Sequence, residues 1–125
     1  MGTHFKPEQY HRPERIEAVS TLLKETGAKI IAGGTDLLVN RPPGTQSLVD
    51  LSRLGLDYVK SDEGGVAIGA TTCFTKIIAS PILEEQPLLV LKDSAKEIGH
   101  YNLRHIATIG GNICNAVPSA DSPVA

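Results

Sequence analysis

Two short glycine pairs hold the residues best suited to chemistry. In the first, Ile30, Ile31 and Ala32 run into Gly33 and Gly34, and Thr35, Asp36 and the apolar Leu37, Leu38 and Val39 follow. Lacking a Cβ, Gly33 and Gly34 let another molecule come close to their N–H groups. A helix starting at Thr35 or Asp36 would aim further unpaired N–H groups at the same spot, an arrangement suited to phosphate. The second pair, Gly110 and Gly111, ends a short apolar run and lies among Thr108, Asn112 and Asn115, all able to hydrogen-bond. Each pair alone reads equally as a tight turn that packs a strand against a helix. Together they suggest two backbone-lined turns that could hold one extended anionic ligand, such as a dinucleotide pyrophosphate. Neither is the Gly-x-Gly-x-x-Gly fingerprint of the doubly wound dinucleotide fold, and neither ends in the Gly-Lys-Ser/Thr of a P-loop.

Other reactive side chains form no constellation. His100 and His105 flank Tyr101 and Arg104, but no nucleophile or paired carboxylate is arranged with them. Cys73 and Cys114 lack the close spacing of a metal knuckle and make no disulfide framework, so both are expected as packed thiols and no metal site is expected. Glu84, Glu85, Asp62 and Glu63 read as solvated charges at loops or helix ends.

The elements around these motifs are short. Residues 4–11 read as an extended lead-in, and Pro13 as the first residue of a helix with Ile16, Val19, Leu22 and Leu23 on its apolar stripe. Gly27 ends that helix, and residues 29–32 follow as a short buried strand. Asn40-Arg41-Pro42-Pro43-Gly44 then stops whatever helix Thr35 begins. Residues 47–51 read as a second strand, and 58–61 and 66–70 as a hairpin about Asp62-Glu63-Gly64-Gly65. Thr71 or Thr72 is expected to cap a helix carrying Phe74, Ile77 and Ile78, ended by Ser80-Pro81. From Pro87, the residues Leu88, Leu91, Ala95 and Ile98 recur at helical spacing until Gly99. The order of elements predicts an α+β fold around one small mixed sheet.

Composition narrows the function classes. With 125 residues, 41% of them hydrophobic, and a mean hydropathy of −0.04, the chain has the length and character of one soluble domain. A net charge of −2 and a pI near 6.0 provide no basic footprint for nucleic acid. No apolar run has the length of a membrane span, and the first residues carry no secretory h-region, so a reduced, cytoplasmic protein is expected.

The motifs carry a resemblance. Ala-Gly-Gly-Thr-Asp-Leu (32–37), Ile-Gly-Ala-Thr-Thr (68–72), Ala-Thr-Ile-Gly-Gly-Asn-Ile (107–113) and Pro-Ser-Ala-Asp-Ser-Pro (118–123) occur in this order. From about residue 5 onward the chain resembles the FAD-binding medium subunit of the molybdenum hydroxylases, the group of xanthine dehydrogenase, carbon monoxide dehydrogenase and 4-hydroxybenzoyl-CoA reductase. The resemblance implies a vanillyl-alcohol-oxidase (PCMH)-type FAD-binding domain, with FAD between two α+β lobes. The first lobe would be about residues 1–55, and about 56–125 the start of the second. Members of the family continue further, so the domain is expected to be incomplete.

FAD is then the implied cofactor, and the implied site follows residue by residue. Backbone of Ile30, Ile31, Ala32, Gly33, Gly34, Thr35, Asp36 and Leu37 would run along the pyrophosphate, with the Thr35 hydroxyl on a phosphate oxygen. A carboxylate facing that dianion would be repelled, so Asp36 is expected to turn back and cap the short helix. Thr108, Gly110, Gly111 and Asn112 would supply the second set of contacts, with Asn115 close by. Gly99 would pass the flavin ring, near His100 and His105, and Asp121 would accept from sugar hydroxyls of FAD. Some relatives hold an additional iron–sulfur cluster near Cys114, but four thiolates are usual there and no cysteine-rich insertion is present. No residue of the chain is expected to be catalytic in its own right, because the flavin does the chemistry. The implied function is electron relay between an iron–sulfur small subunit and an external acceptor, in a complex whose molybdopterin-binding large subunit oxidises the substrate. Two alternatives stand beside it: a truncated interaction module that keeps the fold without flavin, and the related peptidoglycan-precursor reductase type.

Overall fold

The computed structural model describes residues 4–85 and 87–115. The chain divides after Gly55 into two compact units. The motif residues 118–123, Asp121 among them, lie outside the described residues.

In the first unit three strands, β1 (Gln9–His11), β2 (Ala28–Ile31) and β3 (Ser47–Asp50), form a parallel sheet in the order β1-β3-β2. Helices α1 (Ile16–Leu22) and α2 (Leu37–Asn40) make the connections. All four residues of β3 are buried, as expected of a central parallel strand covered on both faces. At the sheet edge, β2 buries only Ile31, while Lys29 and Ile30 are exposed, so it is not the buried strand expected. Helix α1 starts three residues beyond Pro13, because Arg15 is still extended (φ −136°, ψ 141°). Of its expected stripe only Val19 is buried; Ile16 and Leu23 are exposed. Gly27 does not end the helix as expected, because α1 already stops at Leu22 with Leu23 as a right-handed C-cap. At φ +76° Gly27 instead turns the chain into β2, and its carbonyl accepts from Gln46 and Ser47 N–H.

The second unit opens with the antiparallel hairpin β4 (Val59–Asp62) and β5 (Gly65–Ile68), turned at Glu63-Gly64 as the sequence predicts. Among the described residues the strands form not one mixed sheet but a separate sheet in each unit. Helices α3 (Phe74–Ala79), α4 (Leu89–Lys96), α5 (Tyr101–Arg104) and α6 (Ile109–Asn115) follow, with a 3-10 turn at Pro81–Leu83. The core gathers Phe74, Ile77, Leu83, Ala95, Ile98, Ala107 and Ile109, with Val66 and Ile68 of the hairpin packed against it. Cys73, not a threonine, stands at the N-cap of α3, and no side chain caps that end. Thr72 is fully buried and spent elsewhere: its hydroxyl accepts from Tyr58 N–H at 3.0 Å and donates to the Tyr58 carbonyl at 3.1 Å.

Candidate functional site

The first glycine pair lies where β2 leaves its sheet. Ile31 is in register with Asp50, and the Leu51 N–H donates to the Ile31 carbonyl at 3.2 Å. Gly34 takes φ +72°, and its carbonyl receives the Leu38 N–H at 3.0 Å. A Cβ on Gly34 would crowd Leu38 and Ile31 side chains at 3.0 and 3.2 Å, so glycine also lets this turn fold onto itself. Gly33, Gly34 and Thr35 are half-buried, and among the described residues no backbone carbonyl accepts from their N–H groups. That leaves a run of backbone donors without a described carbonyl acceptor. Asp36 occupies the N-cap position of α2 but makes no side-chain capping bond, contrary to expectation; its own backbone is already helical (φ −95°, ψ −46°). Helix α2 is closed by Arg41 at φ 45°, whose Nε donates to the Leu38 carbonyl at 3.0 Å.

The second pair is built differently. Gly110 and Gly111 stand in the first turn of α6, not in a free turn behind a strand. Its leading N–H groups already have protein acceptors: Ile109 donates to the Thr72 carbonyl at 3.0 Å and Gly110 to the Ala70 carbonyl at 2.9 Å. Gly111 donates to Thr108 Oγ1 at 3.2 Å, and Asn112 to the Thr108 carbonyl at 3.0 Å. Thr108 is thus the capping residue. A Cβ on Gly110 would stand 2.5 Å from the Ala70 carbonyl oxygen, whereas one on Gly111 would meet only Thr108 Oγ1, at 3.0 Å. Gly110 therefore serves packing, and Gly111 leaves an exposed, uncovered stretch of backbone. The Thr108 hydroxyl accepts from Gly111 and gives its own proton to no described residue, which keeps one donor for a ligand. The bridge Cys73–Thr108 and the Phe74 N–H to Ala107 carbonyl bond (3.2 Å) anchor this turn to the start of α3.

Gly99 follows α4 at φ +50°, a left-handed conformation that favours glycine, and a Cβ there would also press on the Leu103 side chain, so local backbone geometry accounts for this glycine. Asn112 and Asn115 lie on α6 and are both engaged in interactions. Cys114 is exposed rather than packed, because α6 turns Ile109 to the core and Cys114 away from it; Cys73 is half-buried, and both are free. His105 rests edge-on against Tyr101 (4.7 Å, 78°), both exposed. Glu84 is more than a solvated charge, since it pairs at 3.2 Å with Lys92, whose side chain is 8% exposed. Among the described residues no His, Cys, Asp and Glu group could hold a metal, and no helix is long and apolar enough to cross a membrane.

One cluster had no signal in the sequence. At the end of β3, Asp50 accepts from the Tyr10 hydroxyl and from Ser52 N–H (2.8 Å), with Arg12 Nε at 3.4 Å. Burial pushes the Asp50 carboxyl up, but the bonds from Tyr10 and Ser52 and the Arg12 charge outweigh it and hold the group below the usual carboxylate value. Hydrogen bonding to Asp50, then burial and the carboxylate charge, raise the Tyr10 phenol. Partners some 40 residues apart leave no local pattern to read.

Residues 3–125 match the sequence profile of the family described as FAD binding domain in molybdopterin dehydrogenase. The xanthine dehydrogenase FAD-binding subunit of Escherichia coli O157:H7 is 34% identical over 94% of this chain and 42% of its own length. The carbon monoxide dehydrogenase medium chain of Hydrogenophaga pseudoflava is 34% identical over 92% of this chain and 42% of its own. A solved structure of carbon monoxide dehydrogenase from H. pseudoflava, lacking the Mo-pyranopterin moiety of its cofactor, superposes with a TM-score of 0.84 at 32% identity, covering 94% of this chain and 43% of that one. The chain spans about two fifths of the length of the curated relatives it matches.

Proposed function

The chain belongs to the family of FAD-binding domains in molybdopterin dehydrogenases, and from that premise we propose that it binds FAD as part of a molybdopterin-dependent oxidoreductase. The observation that carries this reading is the row of half-buried N–H groups at Gly33, Gly34 and Thr35, to which no described backbone carbonyl is bonded. Such a row complements the oxygens of a pyrophosphate. The Thr35 hydroxyl is the proposed fourth donor. In the second unit, the exposed backbone at Gly111 and the Thr108 hydroxyl, which gives its proton to no described residue, also suit an anionic ligand. The donors of the first glycine motif thus suit the pyrophosphate of FAD.

When bound, FAD supplies the redox chemistry. The protein's own groups bind and orient: the proposed holders of the pyrophosphate are the Gly33, Gly34 and Thr35 donors, and the register of β2 on β3 keeps them in place. By analogy with relatives named as FAD-binding and medium subunits, the proposed role is electron relay between an iron–sulfur subunit and an external acceptor. A molybdopterin-binding subunit is the proposed site of substrate oxidation, and two lobes of the PCMH type the proposed architecture of the whole domain.

Titrating FAD into the purified chain while following flavin fluorescence and the visible spectrum tests the reading. Saturable binding, lost in Gly111→Val without loss of far-UV circular dichroism, is expected, because a branched side chain would cover the open backbone. A folded wild-type chain that retains no flavin, alone or with its native partners, overturns it in favour of an interaction module that keeps the fold.

A further inference from the structure

The first glycine turn begins two residues beyond Ile31, and what fixes Ile31 lies on the neighbouring strand. Ile31 is in register with Asp50, the last residue of β3, and its carbonyl accepts the Leu51 N–H at 3.2 Å. Leu51 is itself spanned by a bond of the Asp50 carboxylate, whose two oxygens have different partners. One oxygen takes the Ser52 N–H at 2.8 Å, closing an Asx turn across Leu51. The other takes the Tyr10 hydroxyl and stands 3.4 Å from Arg12 Nε. Arg12 Nη2 also donates to Ser52 Oγ at 3.1 Å, so the turn after β3 is gripped from both ends. The side chain of Asp50 is 11% exposed, which shields these bonds from competing water.

We propose that Asp50 is the positioning residue of the Gly33-Gly34 turn: its carboxylate shapes the chain leaving β3, and through Leu51 that chain fixes where β2 releases the turn. The C-terminal side of each strand of this sheet is then tied to one carboxylate, β1 through Tyr10 and Arg12, β3 through Ser52, and β2 through the Leu51–Ile31 bond. The charged and titratable groups around it are few. The β1 side brings Tyr10 and Arg12, the segment after β3 brings Arg53, paired with Glu14 at 3.5 Å, and β2 contributes the apolar Ile31 in register. Protonating Asp50 removes the acceptor charge and loosens the Ser52 and Tyr10 bonds together. Because the folded group is held below its ordinary value, the turn stays formed at neutral pH and loosens only as pH falls through that lowered value. The effect on ligand binding rests on the FAD reading above; the coupling between Asp50 and the turn does not.

The experiment is an amide NMR titration of the full 125-residue chain without FAD, from about pH 7 to about pH 3, followed by FAD titration of the same samples. Amides of Leu51, Ser52, Gly33 and Gly34 are expected to move through one common titration, which vanishes in Asp50→Asn. At neutral pH, Asp50→Asn should weaken FAD binding about tenfold. Tyr10→Phe, which keeps the carboxylate, should weaken it less and move the common titration to higher pH, and it serves as the test variant if Asp50→Asn does not fold. Glycine amides indifferent to the titration that moves Ser52 overturn the proposal even if FAD binds. A common titration in a chain that binds no FAD leaves it standing and overturns the FAD reading instead.

Discussion

Gly110 and Gly111 are neighbours that lack a Cβ for different reasons. At Gly110 the missing atom would stand 2.5 Å from the Ala70 carbonyl oxygen and 2.9 Å from Ala70 Cβ, contacts that a rigid backbone cannot yield. At Gly111 it would meet only the Thr108 hydroxyl oxygen, at 3.0 Å, which a small rotation relieves. Gly110→Ala is therefore expected to lower the stability of its unit by about 1–3 kcal/mol. Gly111→Ala should stay within about 1 kcal/mol of wild type, since the gain in helix propensity offsets the local crowding. Urea unfolding followed by circular dichroism measures both, and equal losses would show that Gly111 is as packed as its neighbour. Both glycines were legible in the sequence as one motif, but their division of labour was not. It depends on Ala70, some forty residues earlier, whose carbonyl takes the Gly110 N–H. The Asp50 cluster was illegible for the same reason.

Among the described elements, α4 carries a buried ammonium that decides how a corner is built. Lys92 lies on a helix whose apolar spacing is plain in the sequence, yet it is buried, with Nζ donating to the Ser80 carbonyl at 3.1 Å and to Glu84 at 3.2 Å. It ties α4 to the end of α3 and to the 3-10 turn, where the chain reverses at Pro81. Lys92→Ala removes both bonds and the packed alkyl stem, at an expected cost of about 2–3 kcal/mol. Lys92→Met keeps the stem and should cost about 1 kcal/mol less. Glu84→Gln should cost under about 1 kcal/mol, because the Glu84 side chain is 66% exposed and its ion pair is screened by water. Thermal melts of the three variants give the order, and a Glu84→Gln loss as large as that of Lys92→Ala would make the ion pair, not the Ser80 bond, the fastening. The hairpin and the helices α3 and α4 could be read because alternation, turn residues and helical spacing are local signals. Helix α6 could not, because glycine disfavours a helix by about 1 kcal/mol and two of them open this one. What overrides that propensity is tertiary: the Thr72 and Ala70 carbonyls and the Thr108 cap.

For the whole chain, the mixed order of strands and helices was read correctly as α+β, but the single mixed sheet was not found. Strand partners are non-local, and nothing between Leu51 and Tyr58 announces that β4 starts a new sheet instead of joining the old one. The two glycine motifs consequently belong to different units, and they differ in readiness. The donors at Gly33, Gly34 and Thr35 have no described carbonyl partner, while the leading donors of α6 are already bonded. If both motifs hold FAD, hydrogen exchange should register them differently. At a FAD concentration about 100-fold above Kd, any amide that exchanges only through global unfolding gains about 2.7 kcal/mol of protection. The amides of Gly33, Gly34 and Thr35, which have no described carbonyl acceptor, should change most. Those of Ile109 and Gly110 begin protected and should gain only if the ligand also stabilises the second unit. Protection that rises at Gly33–Thr35 and leaves Ile109, Gly110 and the α3–α4 core unchanged would mean that the first motif alone carries the pyrophosphate, and that the second has kept its glycines for packing against Ala70.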